Sequence, residues 1–236
     1  VSPSATIADL TSRFHLPERA EAQLTELAEL IANDEGAPTT LREPRRINED
    51  HLADSLVALE LDHVPWSGGT IADLGAGAGF PGLPLAIALP AARVVLVESN
   101  TRKCEFLRSV VRRLGLENVE IERARAEQWP AGLNVCDVVV ARALAALPVV
   151  VEYAAPLLRI GGALVAWRGR RDAVEETMGA IAAAELGLEP LDVAAVAPYP
   201  AAAHRHLHVM VKVAPTPPRF PRRSGVARKH PLGRAV

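Results

Sequence analysis

Apolar residues recur at three- and four-residue steps in the first part of the chain and gather into unbroken runs further on. From Ile7 to Asn33 the spacing is helical: Phe14 and Leu16 flank a turn at Pro17, then Ala20, Leu24, Leu27, Ala28 and Ile31 line one face. Asp34 to Pro38 breaks that pattern, and Thr39 to Pro44 has loop chemistry. Asn48, followed by Glu49 and Asp50, is the expected N-cap of a third helix carrying His51, Asp54 and Ser55. His51 and Ser55 lie four positions apart and share a face of it.

Beyond Pro65 to Gly69 the pattern alternates between strand and helix. Ile71, Ala72 and Leu74 form a short strand that ends in Gly75-Ala-Gly77-Ala-Gly79, after which a helix-length segment resumes at Leu83. Arg93 to Glu98 is a second strand, Thr101 to Leu114 an amphipathic helix, Val119 to Ile121 a third strand and Cys136 to Ala141 a fourth. A helix over Pro148 to Leu158, a strand over Gly162 to Trp167 and a helix over Asp172 to Leu186 follow. Continuous β-branched runs separated by helices predict a parallel sheet covered on both faces. Leu188 to Ala197 and His206 to Val213 have no helix between them, which predicts an antiparallel hairpin at one edge.

Composition changes this picture in three places. The chain has 236 residues and is 49% hydrophobic, enough to bury one full core. The Ala/Leu-rich run after Leu83 is broken by Pro84 and Pro90, short of the roughly 18 residues of a membrane span, and nothing near the start reads as a signal peptide, so a cytoplasmic chain without a membrane partner is expected. Cys104 and Cys136 have neither metal-ligand nor disulfide spacing; no metal site is expected. The net charge of −2 conceals an asymmetry: no acid follows Asp192, while eight basic residues do, leaving 18 basic against 28 acidic residues before that point. A basic tail of this kind points to a polyanionic partner, the alternative being a merely solvated end.

The glycine turn admits two ligands. Gly77-x-Gly79-x-x-Gly82 has the letters of a dinucleotide fingerprint, and Glu98 stands near the offset of a ribose-binding acid. The register fits that reading poorly, because the turn already begins at Gly75 and Pro81 removes an N–H donor from the start of the helix. A phosphate-free adenosine ligand fits better: Asp73 orders the turn or meets the ligand's amine end, and Glu98 accepts the ribose hydroxyls. A cationic adenosyl sulfonium suits two acids at neighbouring strand ends.

Several separated stretches together resemble one family, the bacterial small-subunit ribosomal RNA methyltransferase G, or glucose-inhibited division protein B, family. They are Thr39-Thr-Leu-Arg-Glu-Pro44 with His51-x-x-Asp54-Ser55; Asp73 to Gly82 with its Gly79-Phe80-Pro81-Gly82 turn; Glu98-Ser99-x-x-x-Lys103; Arg125-Ala126-Glu127; Ala141-Arg142-Ala143; Arg205-His206-Leu207; and Phe220-Pro-Arg222-Arg223-x-Gly225 with Lys229-x-Pro231-Leu232. The chain departs from the family pattern at Ala37-Pro38, where Asn-Leu is common, at Arg168, where lysine is common, and at Asp50, where a basic residue is usual.

The resemblance implies a class I S-adenosylmethionine-dependent methyltransferase, α/β and Rossmann-like, with a mostly parallel seven-stranded sheet. It implies a helical extension over 1–66, a methyltransferase domain over 67–213 and a basic tail over 214–236. The implied reaction is methylation of guanine N7 in small-subunit (16S) ribosomal RNA, by a monomer acting on the RNA or the 30S particle; a non-catalytic RNA-binding scaffold is the alternative. The expected cofactor residues are Asp73, Gly75, Gly77, Gly79, Phe80, Glu98, Ser99, Ala126, Glu127 and Arg142. Arg142 is also expected to orient the substrate, no general base being needed. Arg42, Arg46, His51, Arg168, Arg205, Arg222, Arg223 and Lys229 are expected to meet RNA.

Overall fold

A computed structural model describes residues 5–234. Two helices, α1 (Ile7–Arg13) and α2 (Ala20–Asn33), precede a continuous helical stretch. That stretch runs from α3 (Pro44–Ile47) through a π-helical segment (Asn48–Ala53) and α4 (Asp54–Leu56) to a 3-10 turn (Val57–Glu60). It therefore starts before Asn48, which lies within it. Pro44 occupies the first turn, and the Glu43 carboxylate accepts hydrogen bonds from the N–H groups of Arg45 and Arg46, so a glutamate supplies the cap that sequence rules assign to Asn48.

The α/β part follows as β1 (Thr70–Leu74), α5 (Gly82–Ala88), β2 (Arg93–Val97), α6 (Thr101–Leu114), β3 (Val119–Glu122) and β4 (Cys136–Arg142). It continues with α7 (Leu147–Ala154), β5 (Leu158–Arg168), α8 (Ala173–Leu186), β6 (Leu188–Ala195), β7 (His206–Lys212) and the short α9 (Val226–Lys229). The strands form one sheet in the order β3-β2-β1-β4-β5-β7-β6. β1 to β5 are parallel neighbours, and β7 runs antiparallel to both β5 and β6, so the hairpin closes one edge as its patterning predicts.

Alternate residues of the strands feed two cores. Ile71, Val94, Leu96, Val138, Val140 and Val165 face the helices α2, α5 and α6, whereas Ala72, Val95, Val139 and Leu164 face α7 and α8. The N-terminal helices share the first core through Leu10, Leu24, Leu27 and Ile31. The basic tail joins the second core through buried Phe220 and Ala227, so it packs onto the fold from Phe220 onward. Lys212, 1% exposed, donates from Nζ to Ala155 O at 2.8 Å and Leu186 O at 2.9 Å, tying together the C-terminal ends of α7 and α8. Burial lowers its pKa to about 8.

Candidate active site

β1 separates strands that run outward on either side of it, and ligands of such sheets bind beyond the carboxyl ends of the strands at that point. A cavity of about 300 Å³ lies there, between Gly75, Glu98, Ser99, Ala126 and Glu127 on one side and Ala143, Leu144, Tyr153 and Arg228 on the other. Gly75 has φ +72°, and a Cβ on it would fall 2.7 Å from Leu144 Cδ1, so only glycine leaves this wall open. Glu98 is 6% exposed; its Oε2 accepts from Gly77 N–H at 3.2 Å and its Oε1 from Asn100 N–H at 2.8 Å. Each oxygen keeps a further lone pair, the provision a pair of ribose hydroxyls requires. Glu127 Oε1 accepts from Ser224 Oγ at 2.9 Å and Gly225 N–H at 3.2 Å, which docks the tail against the same cavity.

Not all the expected cofactor residues line this space. Asp73 lies fully beneath the turn, where its Oδ2 accepts from Gly82 N–H at 2.8 Å and its Oδ1 has no hydrogen-bond partner among the described residues. The bond from Gly82 ties Asp73 to the turn, and burial pushes its pKa up to about 7. Gly77 presents its N–H to Glu98, and a Cβ on Gly79 would collide with Leu83 at 2.2 Å, so that glycine serves the packing of α5. Phe80 is 5% exposed and stacks on His51 with ring centroids 4.3 Å apart and an interplanar angle of 11°.

Arg142 closes β4 on the far side of Ala143, and Ala143, with φ +54°, lines both the first cavity and a second one. Three groups of the helical stretch hold its guanidinium: Nη1 donates to Asp54 Oδ2 at 2.8 Å and to Asp50 O at 2.9 Å, and Nη2 donates to His51 Nδ1 at 3.2 Å. Its Cζ stands 5.6 Å from the Phe80 ring centroid. Because arginine only donates, His51 Nδ1 accepts and its Nε2–H faces Thr39 Oγ1 at 3.1 Å. Burial, then the charge of Arg142, lowers the His51 pKa to about 4, which keeps the ring neutral. The π-helical segment and the first residue of α4 after it deliver Asp50, His51 and Asp54 together to one arginine.

The second cavity, also about 300 Å³, is lined by Asp54, Arg142, Trp167, Arg168, Arg205 and His206 among others. Arg168 pairs with Glu175 and donates to Ala145 O at 2.8 Å. Asp50 gathers Arg46, Arg205 and the Tyr199 hydroxyl; burial raises its pKa, and the Tyr199 and Arg46 hydrogen bonds with the charges of Arg46 and Arg205 together outweigh that and hold it low.

Three of the residues expected to meet RNA are held by partners within the fold. Arg42 donates to Ile31 O, to Asp34 O at 2.7 Å and to Ala37 O at 3.0 Å, capping the end of α2. Both ring nitrogens of His51 are engaged as described. Arg222 clamps Glu152, which is 1% exposed, with Nε to Oε1 at 2.7 Å. A local sequence window names the charge but not the partner that consumes it. Arg46, Arg223 and Lys229 are exposed. Sequence reasoning missed Leu144, Tyr153 and Arg228 as walls of the first cavity; the turn at Gly225, φ +81°, that brings Arg228 back was the available signal.

Among the described residues no helix is long and apolar enough to cross a membrane, and no cluster of metal-ligating side chains occurs. The sheet resembles solved methyltransferases at the level of fold. A SAM-dependent methyltransferase from Aquifex aeolicus is 17% identical with a TM-score of 0.56, covering 80% of this chain and 98% of that one. A 16S rRNA (adenine(1408)-N(1))-methyltransferase from Catenulisporales acidiphilia is 19% identical with a TM-score of 0.53, covering 66% and 91%. Sequence similarity is closer. A ribosomal RNA small subunit methyltransferase G from Rubrobacter xylanophilus is 42% identical, over 81% of this chain and 75% of the relative. One of the same description from Chloroflexus aggregans is 43% identical, over 86% and 85%. The family model described as rRNA small subunit methyltransferase G matches residues 20–207. The chain belongs to the rRNA small subunit methyltransferase G family.

Proposed function

We propose that the chain transfers a methyl group from S-adenosylmethionine to N7 of a guanine in small-subunit ribosomal RNA. The observation that carries this reading is the junction at Ala143, where the cavity that holds Glu98 and Glu127 at the strand ends meets one lined by Arg142, Arg168 and Arg205. Glu98, Ser99, Ala126 and Glu127 fit the adenosyl part of the cofactor, whose sulfonium supplies an electrophilic methyl group. The arginine-lined cavity fits a base and its phosphate.

Guanine N7 carries an in-plane lone pair and needs no deprotonation before attack. The chemistry therefore asks for alignment and electrostatics, and Arg142, fixed by Asp50, Asp54 and His51, is built for alignment. Exposed Arg223 and Lys229, beside Arg228 at the rim of the first cavity, are placed to follow RNA phosphates.

The test has two parts: calorimetry of the purified chain with S-adenosylmethionine and with NAD, and mapping of N7-methylguanosine in 30S particles incubated with the chain and the methyl donor. Binding of S-adenosylmethionine alone, together with one new N7-methylguanosine, supports the proposal. Binding of neither ligand supports the scaffold reading, and methylation at another atom rejects N7.

A further inference from the structure

Asp54 carries an acceptor that no hydrogen bond satisfies among the described residues. Its Oδ2 accepts from Arg142, but Oδ1 is buried and takes part in no hydrogen bond among the described residues. Arg205 Nε lies 3.3 Å from Oδ1 as an ion-pair contact without hydrogen-bonding direction. The residue is 6% exposed, and a buried carboxylate oxygen without a directed hydrogen bond is costly to keep. Asp54 lines the second cavity, whose size of about 300 Å³ is at the lower end of the roughly 300–1,000 Å³ typical of small-ligand sites.

The remaining walls are mostly donors: Arg142, Arg168 and Arg205. An occupant must therefore bring N–H groups to one carboxylate and acceptors to the arginines. Among the nucleobases, guanine alone puts two adjacent N–H donors, N1–H and the 2-amino group, on its Watson–Crick edge, with the O6 acceptor beside them. Adenine and cytosine place a ring nitrogen acceptor next to their amino group, and uracil flanks its single N–H with two carbonyls; each would turn a lone pair toward the carboxylate.

The geometry points to Asp54 as the residue that selects guanine, with its carboxylate accepting from N1–H and the 2-amino group while Arg142 or Arg205 meets O6. N7, on the other ring, then stays free of donors and can face the opening at Ala143. This inference rests on the proposed guanine-N7 reaction and adds the means by which the base is chosen.

The test uses 30S particles in which the mapped target guanosine is replaced by inosine, which keeps N7, O6 and N1–H but lacks the 2-amino group. Formation of N7-methylguanosine by the unaltered chain is checked first, and its absence overturns the reaction and not merely the selection. Given that reaction, the unaltered chain is expected to methylate inosine at least about tenfold more slowly, the loss of one charge-assisted hydrogen bond. Asp54→Asn is expected to bring that ratio close to one while S-adenosylmethionine affinity stays within about twofold. Equal rates on both bases with the unaltered chain would overturn the inference. So would an Asp54→Asn variant that slows both bases alike and keeps the ratio, since Asp54 would then act only by positioning Arg142. If Asp54→Asn fails to fold, the ratio is read on Asp54→Glu, which keeps the charge but displaces the carboxylate; an unchanged ratio there also counts against the assignment.

Discussion

The two cavities that meet at Ala143 are of similar size and different make-up. The first sets two acceptors, Glu98 and Glu127, among strand ends and glycine backbone, with Lys103, Arg125 and Arg228 around them. The second offers arginines around one carboxylate, and its walls come from the start of α4, the end of β4, the end of β5 and the segment leading into β7. A nucleoside whose hydroxyls need acceptors suits the first, and an anionic polymer that presents a base suits the second. Separate walls on the two sides of one residue let donor and acceptor be recognised separately while their reacting atoms are brought together.

That division can be broken from several sides. The largest effect is expected where the tail is anchored. Arg222→Ala strands the buried Glu152 carboxylate, and denaturant unfolding should report a loss of about 3–5 kcal/mol. A loss under about 1 kcal/mol would mean that Arg222 is free for RNA after all. Next, Arg142→Ala should slow methyl transfer about a hundredfold while S-adenosylmethionine affinity changes by less than about threefold. Equal losses in both would place Arg142 on the cofactor side.

Smaller effects sharpen the contrast. Salt titration of binding to 30S particles should show a log–log slope that becomes shallower by about two in an Arg223→Ala/Lys229→Ala double variant, as two phosphate contacts are removed. An unchanged slope would exclude that exposed face from the RNA interface. The mildest test is pH. With a folded pKa of about 4, below its unfolded value of 6.5, His51 binds its proton more readily in the unfolded chain. Its contribution to stability is therefore full above pH 6.5 and declines as pH falls toward 4. The stability of the unaltered chain relative to His51→Gln should fall across that window, and a flat difference would mean that His51 is not held neutral.

The contrast also explains what could be read from the chain. One wall of the first cavity is built by a strand, a glycine turn and the acid ending the next strand, all signalled by local periodicity and spacing, whereas Leu144, Tyr153 and Arg228 come from farther along the chain. Gly75 and Glu98 stand out for that reason, and Glu127 through the family resemblance. The second cavity needs Asp54 to meet Arg142, 88 positions later, and Arg205 further on. No local pattern carries such a pairing. Charge alone is incomplete in the same way: it marks Arg42 and Arg222 but not the carbonyls and the buried glutamate that hold them within the fold. Asn48 looked like a cap because side-chain type was visible and the Pro44 start, capped by a glutamate, was a less common solution.

The central claim is that cofactor and base are bound by separate walls, and calorimetric titration of S-adenosylmethionine into Glu98→Gln and Asp54→Asn, side by side with the unaltered chain, tests it most directly. The account predicts that Glu98→Gln, whose carboxylate belongs to the first cavity, weakens binding at least about tenfold. Asp54→Asn, whose carboxylate belongs to the second, should leave affinity within about twofold. Comparable weakening in both variants, or weakening in Asp54→Asn alone, would contradict it.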